Sequence, residues 1–183
     1  MLREAGFRGV TLDEAGIAPD PAEDGIEVFN TFEENATAKA RWFSARAGGM
    51  PVLADDSGLC VDALGGAPGV HSARFAAMDT GASGNSSDAA NNAKLLRLLA
   101  AKPDAPRTAR FRCVIALAAV RPAGPTRFFE GACEGSIESA ARGAGGFGYD
   151  PLFVPRGFSE SFAELGEEIK NRISHREIGR AHV

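Results

Sequence analysis

Long apolar runs are absent from the sequence, which excludes a membrane-spanning helix from the expected architecture. No uninterrupted apolar stretch approaches the ~20 residues that a helix needs to cross a bilayer. The opening residues, Met1–Ala5, are not followed by the apolar segment of a secretory signal peptide. We therefore expect a protein that does not associate with membranes.

Cysteine is also scarce. The 183 residues include three cysteines, Cys60, Cys113 and Cys133, which lie far apart. Three scattered cysteines are too few for a disulfide framework, and none has the CxxC spacing of a metal knuckle. This usage is typical of a reducing compartment, so we expect a cytoplasmic protein.

Positive charge is not in excess. The formal net charge is −4 and the isoelectric point is near 5.4, which argues against a binder of nucleic-acid polymers. The best cluster of basic residues lies late in the chain, at Lys170, Arg172, His175 and Arg176. An anionic ligand would therefore meet its positive contacts in one local region.

Several catalytic and nucleotide-binding motifs are missing as well. The sequence has no GxxxxGK[ST] phosphate loop and no GxSxG nucleophile elbow, and its three histidines give no specific support to a Ser/His/Asp triad. Residues Gly143–Gly148 match GxGxxG, but they lie late and precede a strand-like segment, whereas the dinucleotide fingerprint follows the first strand and opens a helix. We reject the Rossmann interpretation and predict a glycine-rich turn that allows close approach to a ligand.

The composition, 44% hydrophobic and 24% charged, predicts one globular α/β domain. Helical and alternating periodicities indicate its elements. They are a strand at Val10–Leu12, a helix from a Thr31 capping box to Gly48, a strand from Pro51 to Asp56, a strand at Leu59–Leu64, a helix at Asp88–Ala101, strands at Thr108–Val120, Arg127–Ile137 and Leu152–Val154, and a final helix from about Glu167.

A strand-like run ends in Asp55, Asp56, Ser57 and Gly58, and ligands gather at the carboxyl ends of strands in open α/β folds. Successive strand side chains point to opposite faces, so only one of the two aspartates can face a substrate. The alternative is an ordinary turn, because Asp, Ser and Gly favour turns. Taken alone, Lys39 is by default a solvated lysine on the first full helix.

Five motifs, in order, together resemble one family. They are Thr31–Ala36 with Lys39 and Ala40, Ala54–Gly58, Leu64–Val70 with Ser72–Arg74, Gly145–Pro151, and Ile173–Arg176. The family is that of the inosine/xanthosine triphosphate pyrophosphatases, also called XTP/dITP diphosphatases. The resemblance covers nearly everything from the first residues to Arg176.

The resemblance implies an ITPase-like α/β fold, with a long mixed central sheet flanked by helices in two lobes. It implies Mg²⁺-dependent hydrolysis of ITP, dITP and XTP to the monophosphate and pyrophosphate, which cleanses the nucleotide pool. Family members are usually homodimers. The Maf-like nucleotide pyrophosphatases, on a similar scaffold, and a nucleotide-binding module without catalysis remain alternatives.

The resemblance also implies roles for the acidic residues and their neighbours. Asp56 would act as general base and metal ligand, with support from Asp55. A second metal carboxylate is expected before the first helix, at Glu27 or alternatively at Glu23. The remaining substrate-binding residues would contact the phosphates or sugar (Lys39, Ser57 and Lys170), stack on the purine (Phe147), complete that wall (Gly148, Tyr149 and Asp150) and donate to the 6-oxo group (His175 and Arg176).

Both ends of the chain depart from the family pattern. The family opens with a strand and a Thr-x-Asn-x-x-Lys loop, and this chain begins after that loop, so we expect its first strand to be missing and its activity to be low or absent. Residues 177–183 differ from the family's last helix and match the in-frame translation of a common sequencing adapter. We expect a single domain over residues 1–176 and a non-native tail over 177–183.

Overall fold

The computed structural model describes residues 9–119 and 124–174, with a central sheet and flanking helices. Short 3-10 helices occur between the main elements. The main elements are α1 (Phe32–Arg46), β1 (Val52–Val61), α2 (Asp88–Ala100), β2 (Thr108–Ala118), β3 (Arg127–Ile137), β4 (Phe153–Pro155) and α3 (Phe162–Ile173). None of the helices in these described ranges has the length and apolar character needed to cross a membrane.

The four strands form one sheet in the order β1-β2-β3-β4. Strands β3 and β4 are antiparallel, with Gly135 opposite Pro155 and Ile137 opposite Phe153. Gly135 permits this pairing, since a Cβ atom there would lie 2.3 Å from the Val154 carbonyl oxygen. The predicted α/β class is confirmed. The predicted helix at Asp88–Ala101 and the strands at Thr108–Val120 and Arg127–Ile137 are confirmed within two residues.

The prediction of two short strands around the aspartate pair is wrong. Strand β1 passes without interruption through Asp55 and Asp56 and ends at Val61, and Asp62–Leu64 form a 3-10 helix. Tertiary packing overrides the turn preference of Asp, Ser and Gly here. The predicted strand at Val10–Leu12 is also wrong, because these residues form no strand and lead into a turn.

The first helix begins at its predicted cap, although only half of the capping box forms. The Thr31 hydroxyl accepts a hydrogen bond from the Glu34 amide at 3.2 Å, and it donates to the Glu34 carboxylate at 2.7 Å. The Glu34 side chain is therefore engaged by the hydroxyl, whereas a full capping box would direct it to the Thr31 amide. Helix α1 ends at Arg46, just before Gly48 and Gly49, as the two glycines indicated.

The last helix begins earlier than predicted. Helix α3 starts at Phe162, and the Glu164 carboxylate accepts a hydrogen bond from the Ser161 amide at 2.8 Å. Gly166 interrupts the helix with φ of +77°, and the predicted start near Glu167 corresponds to the part after this break. Glycine adopts a positive φ without strain, so the helix breaks at Gly166. The two parts of α3 therefore do not share one continuous helical period.

The described chain forms two compact units. Unit 1 contains the described residues of 9–56 and 113–131, and unit 2 contains those of 57–112 and 132–174. In unit 1, α1 buries one face at positions four residues apart: Phe32, Ala36, Ala40 and Ser44. The single domain predicted over residues 1–176 stays a prediction.

The core of unit 2 is built around three aromatic rings. Phe111 lies 4.7 Å from Phe153 and 6.1 Å from Phe162, centroid to centroid. Along β2, the buried Phe111 and Cys113 alternate with the half-buried Arg110 and Arg112. This packing holds β4 and the start of α3, which follow the glycine-rich segment Gly143–Gly148 in the chain.

Candidate functional site

A buried carboxylate, that of Asp56, lies at the centre of a polar cluster in unit 1. Strand β1 turns Asp56 inward, where 6% of the residue is exposed, and leaves Asp55 exposed. The two aspartates diverge as the alternation of strand side chains predicted. A carboxylate in such a position loses hydration and must be held by hydrogen bonds or an opposite charge.

Helix α1 supplies both of those partners. The Asn35 side chain donates from Nδ2 to Asp56 Oδ2 at 3.0 Å, and Lys39 Nζ lies 3.5 Å from Asp56 Oδ1. Residues four apart on a helix share a face, so Asn35 and Lys39 reach the same carboxylate. Each oxygen of Asp56 therefore has its own partner.

Asn35 also fixes the chain segment that precedes α1. Its Oδ1 accepts from the Phe29 amide at 3.0 Å, and its Nδ2 donates to the Phe29 carbonyl at 3.3 Å. The residue is fully buried. Asn35 is not among the predicted site residues, although its four-residue spacing from Lys39 is a usable signal.

Glu27 joins the cluster through Lys39. Its Oε1 lies 2.6 Å from Lys39 Nζ, and the lysine side chain is 18% exposed. Glu23 has another role, since its Oε1 accepts from the Asp20 amide at 2.9 Å and caps the 3-10 helix at Pro21–Gly25. Glu27 and Glu23 are the two alternatives predicted for the second metal carboxylate. The structure places Glu27, and not Glu23, beside Lys39 and near Asp56.

The electrostatics of this cluster suit proton transfer. Burial raises the pKa of Asp56, while the Lys39 cation and the Asn35 hydrogen bond oppose the rise and the Glu27 charge adds to it. A carboxylate whose pKa is raised is a stronger proton acceptor once ionised. Within the described residues, no group of three or more His, Cys, Asp or Glu side chains could hold a metal ion. The oxygen donors available here are the carboxylates of Glu27 and Asp56.

Unit 2 contains a second group of predicted site residues, on the glycine-rich turn before β4. The Phe147 amide donates to Asp150 Oδ2 at 2.9 Å, and the Asp150 amide donates to the Phe147 carbonyl at 3.2 Å. Phe147 is 60% exposed, whereas Asp150 is 2% exposed. The turn therefore presents an aromatic ring to solvent above a buried carboxylate.

Lys170 reaches this turn from α3. Its ammonium group forms an ion pair with Asp150 Oδ2, and the same nitrogen lies 4.0 Å from the centroid of the Phe147 ring. Cation–π contacts of this kind are stronger when the cation is partly desolvated, and the Lys170 side chain is 13% exposed. The predicted contact of Lys170 with phosphates or sugar stays a prediction.

Tyr149 supports the turn from the core. It is 3% exposed, its hydroxyl donates to the Ser72 carbonyl at 2.9 Å, and burial raises its pKa. Ser57 is half-buried on β1, and its predicted contact with substrate stays a prediction. The predicted donors His175 and Arg176 lie outside the described residues.

Helix α2 contributes two residues that the sequence analysis missed. Asp88 and Asn92 both form hydrogen bonds with the backbone of Gly148. They lie about sixty residues before the turn, so no local pattern connects the two segments. Only the tertiary structure shows this contact.

Known proteins similar to this chain include several curated enzymes. A dITP/XTP pyrophosphatase from Desulforamulus reducens is 50% identical over 176 residues, covering 96% of this chain and 81% of that protein. A dITP/XTP pyrophosphatase from Geobacillus kaustophilus is 53% identical over 176 residues, covering 96% of this chain and 80% of that protein.

Solved structures give the same result. A HAM1 protein from Coxiella burnetii is 38% identical, with a TM-score of 0.84 and coverage of 99% of this chain and 86% of that chain. The dITP/XTP pyrophosphatase of Mycobacterium abscessus is 40% identical, with a TM-score of 0.75 and the same coverage of both chains. The sequence profile of the Ham1 family matches residues 1–181. The match in sequence and in fold shows that this chain belongs to the Ham1 family.

Proposed function

We propose that this protein hydrolyses ITP, dITP and XTP to the corresponding monophosphate and pyrophosphate. The observation that carries the proposal is the buried Asp56 carboxylate, held by Asn35 and Lys39 with Glu27 on the same lysine. Relatives at about half identity bear the name dITP/XTP pyrophosphatase, which agrees with this chemistry. The Maf-like alternative has no observation in its favour.

Glu27 and Asp56 fit a magnesium ion. Mg²⁺ prefers oxygen ligands and is usually bound by one or two carboxylates together with substrate phosphates. Both carboxylates already contact one cation, the Lys39 ammonium group. When bound, the ion would neutralise triphosphate charge and orient the phosphoryl group for attack.

Asp56 would act as the general base and accept a proton from the attacking water. Its burial favours this role, and the Asn35 hydrogen bond to Oδ2 fixes the orientation of the carboxylate. Lys39 is a compact cation suited to a phosphate oxygen. Ser57, the next residue on β1, would donate its hydroxyl to the phosphates or sugar.

Phe147 would stack on the purine. Phe147 is 60% exposed and the Lys170 ammonium group lies against its ring, so the ring is accessible to a base. His175 and Arg176 would donate to the 6-oxo group of hypoxanthine or xanthine. Adenine carries an amino donor at that position, so it would face the donors of the protein. Buried donors left without an acceptor strongly disfavour binding of the mismatched base.

The enzyme would act in the cytoplasm as a homodimer, as the family resemblance implies. Cys60, Cys113 and Cys133, all within the described residues, form no disulfide with one another, which agrees with a reducing compartment. Sedimentation velocity of the purified protein measures the oligomeric state directly.

The experiment that tests the proposed function measures pyrophosphate release from ITP, XTP, dITP, ATP and GTP with Mg²⁺, for this chain and for a version that carries a Thr-x-Asn-x-x-Lys opening segment. We expect kcat/KM for ITP to exceed that for ATP by at least ~10²-fold, because a mismatched donor leaves buried groups unpaired. A chelator should abolish release. Tight binding of ITP without any pyrophosphate release would contradict the proposal and identify a nucleotide-binding module.

Glu27 and Glu23 form a matched pair for testing the metal site. Replacing a metal ligand should weaken metal affinity by at least about tenfold. We therefore expect Glu27→Gln to weaken Mn²⁺ binding by that factor, and electron paramagnetic resonance measures the affinity. Glu23→Gln removes the same charge from a cap nearby and should keep wild-type affinity. The reverse order of effects would overturn the assignment of Glu27.

A further inference from the structure

Both backbone groups of Gly148 are held by side chains of α2. Asp88 Oδ2 accepts from the Gly148 amide at 2.7 Å, and Asn92 Nδ2 donates to the Gly148 carbonyl at 3.0 Å. Asp88 and Asn92 lie four residues apart and so share a helix face. Helix α2 therefore holds one specific residue of the turn at two points.

The turn needs such support, because glycines flank its exposed ring. Gly146 has φ of +75° and Gly148 has φ of +61°, in the left-handed region that favours glycine. Glycine has many alternative backbone conformations, and ordering it costs more entropy than ordering any other residue. Without external contacts, the peptide on either side of Phe147 could rotate and carry the ring with it.

Other contacts of the turn converge on Asp150. The Phe147 amide and carbonyl both form hydrogen bonds with Asp150, and the Lys170 ammonium group binds Asp150 beside the Phe147 ring. These contacts hold Phe147 from the side of Asp150. Asp88 and Asn92 fix the residue that follows it.

The Asn92 side chain is poorly satisfied apart from this contact. Its Oδ1 atom is buried and has no hydrogen-bond partner within the described residues. A buried unpaired acceptor destabilises a fold, and replacing it with an apolar group of similar shape can be neutral or stabilising. The stability of α2 therefore does not explain why residue 92 is an asparagine. The hydrogen bond that Asn92 donates to the Gly148 carbonyl does explain it.

We propose that Asp88 and Asn92 are positioning residues for base recognition, which hold Gly148 so that Phe147 presents its ring to the purine. They act through Phe147 and contact no substrate themselves. The inference rests on the proposed function, since it needs a purine to stack on Phe147.

The test compares kcat/KM for ITP with that for UTP, whose smaller base stacks less. We expect Asp88→Ala and Asn92→Leu each to narrow the ITP/UTP ratio by about fivefold, the lower end of what base–aromatic stacking contributes. Asp88→Asn keeps an acceptor for the Gly148 amide and should restore most of the ratio. Asn92→Leu should keep the wild-type melting temperature.

Ser87→Ala provides the matched structural control. The Ser87 hydroxyl caps α2 by accepting from the Ala90 amide at 3.3 Å and has no hydrogen bond to Gly148. The Ser87→Ala substitution should lower the free energy of unfolding and leave the ITP/UTP ratio of kcat/KM unchanged. If Ser87→Ala narrows the ratio as much as Asp88→Ala does, the effect comes from the helix end and the proposal is wrong.

A double-mutant cycle with Phe147→Ala tests whether the two residues act through the ring. In the Phe147→Ala background, Asp88→Ala should change the ITP/UTP ratio by less than twofold, because coupled residues are non-additive. An additional fivefold loss would overturn the proposal. Affinities for IMP and UMP, measured by calorimetry, repeat the comparison without turnover. Absence of ITP hydrolysis would therefore contradict the proposed function and would not contradict this inference.

Discussion

In a version of the protein that carries a Thr-x-Asn-x-x-Lys opening segment, Asp56→Asn should lower ITP turnover by at least ~10²-fold, the lower range for loss of a general base. The substitution keeps the size of the side chain and its hydrogen bond from Asn35, but it removes the proton acceptor and one metal carboxylate. Stability should be kept or rise, because burial makes the charge of Asp56 costly and raises its pKa. Steady-state kinetics and thermal unfolding with a chelator measure the two effects.

Asp55→Asn is the control for this result. It removes the same charge from the adjacent residue of β1, where the side chain is exposed. We expect the loss of turnover to be clearly smaller than for Asp56→Asn. Equal, small effects from both substitutions would show that neither aspartate is the base.

Gly58→Ala should lower the free energy of unfolding by about 3 kcal/mol, the upper part of the range for overpacking. An added Cβ atom would lie 2.2 Å from the Gly69 carbonyl oxygen and 2.5 Å from Ser72 Oγ. The Ser72 hydroxyl cannot move freely, since it donates to the Gly69 carbonyl at 2.6 Å and accepts from the Leu59 amide at 2.9 Å. Urea unfolding monitored by circular dichroism measures the loss.

Gly25→Ala is the matched control for the effect of removing a glycine. A Cβ atom at Gly25 would contact nothing within 4 Å, and its φ lies outside the left-handed region. The free energy of unfolding of this variant should therefore lie within about 0.5 kcal/mol of the wild-type value, as for most surface substitutions. If Gly58→Ala were equally harmless, β1 and the Gly69–Ser72 segment would not be as close as the structure shows.

The prediction of secondary structure succeeded where local signals were strong. Thr31 and the Gly48–Gly49 pair bounded α1 because capping and left-handed glycines act within one helical turn. It was wrong at Asp55–Gly58, where residues that favour turns lie in a continuous strand that forms hydrogen bonds with β2. Those contacts are distant in sequence, so propensity alone could not show them.

The family, the α/β class and the divergence of the Asp55 and Asp56 side chains follow from the sequence alone, because motif order and side-chain period are local properties of the chain. Tertiary structure decided which acidic residue joins Asp56, since Glu27 and Glu23 differ only in the partners that folding brings to them. It also decided that Asn35, Asp88 and Asn92 hold the two groups of site residues, because hydrogen bonds between distant segments form only when the chain packs.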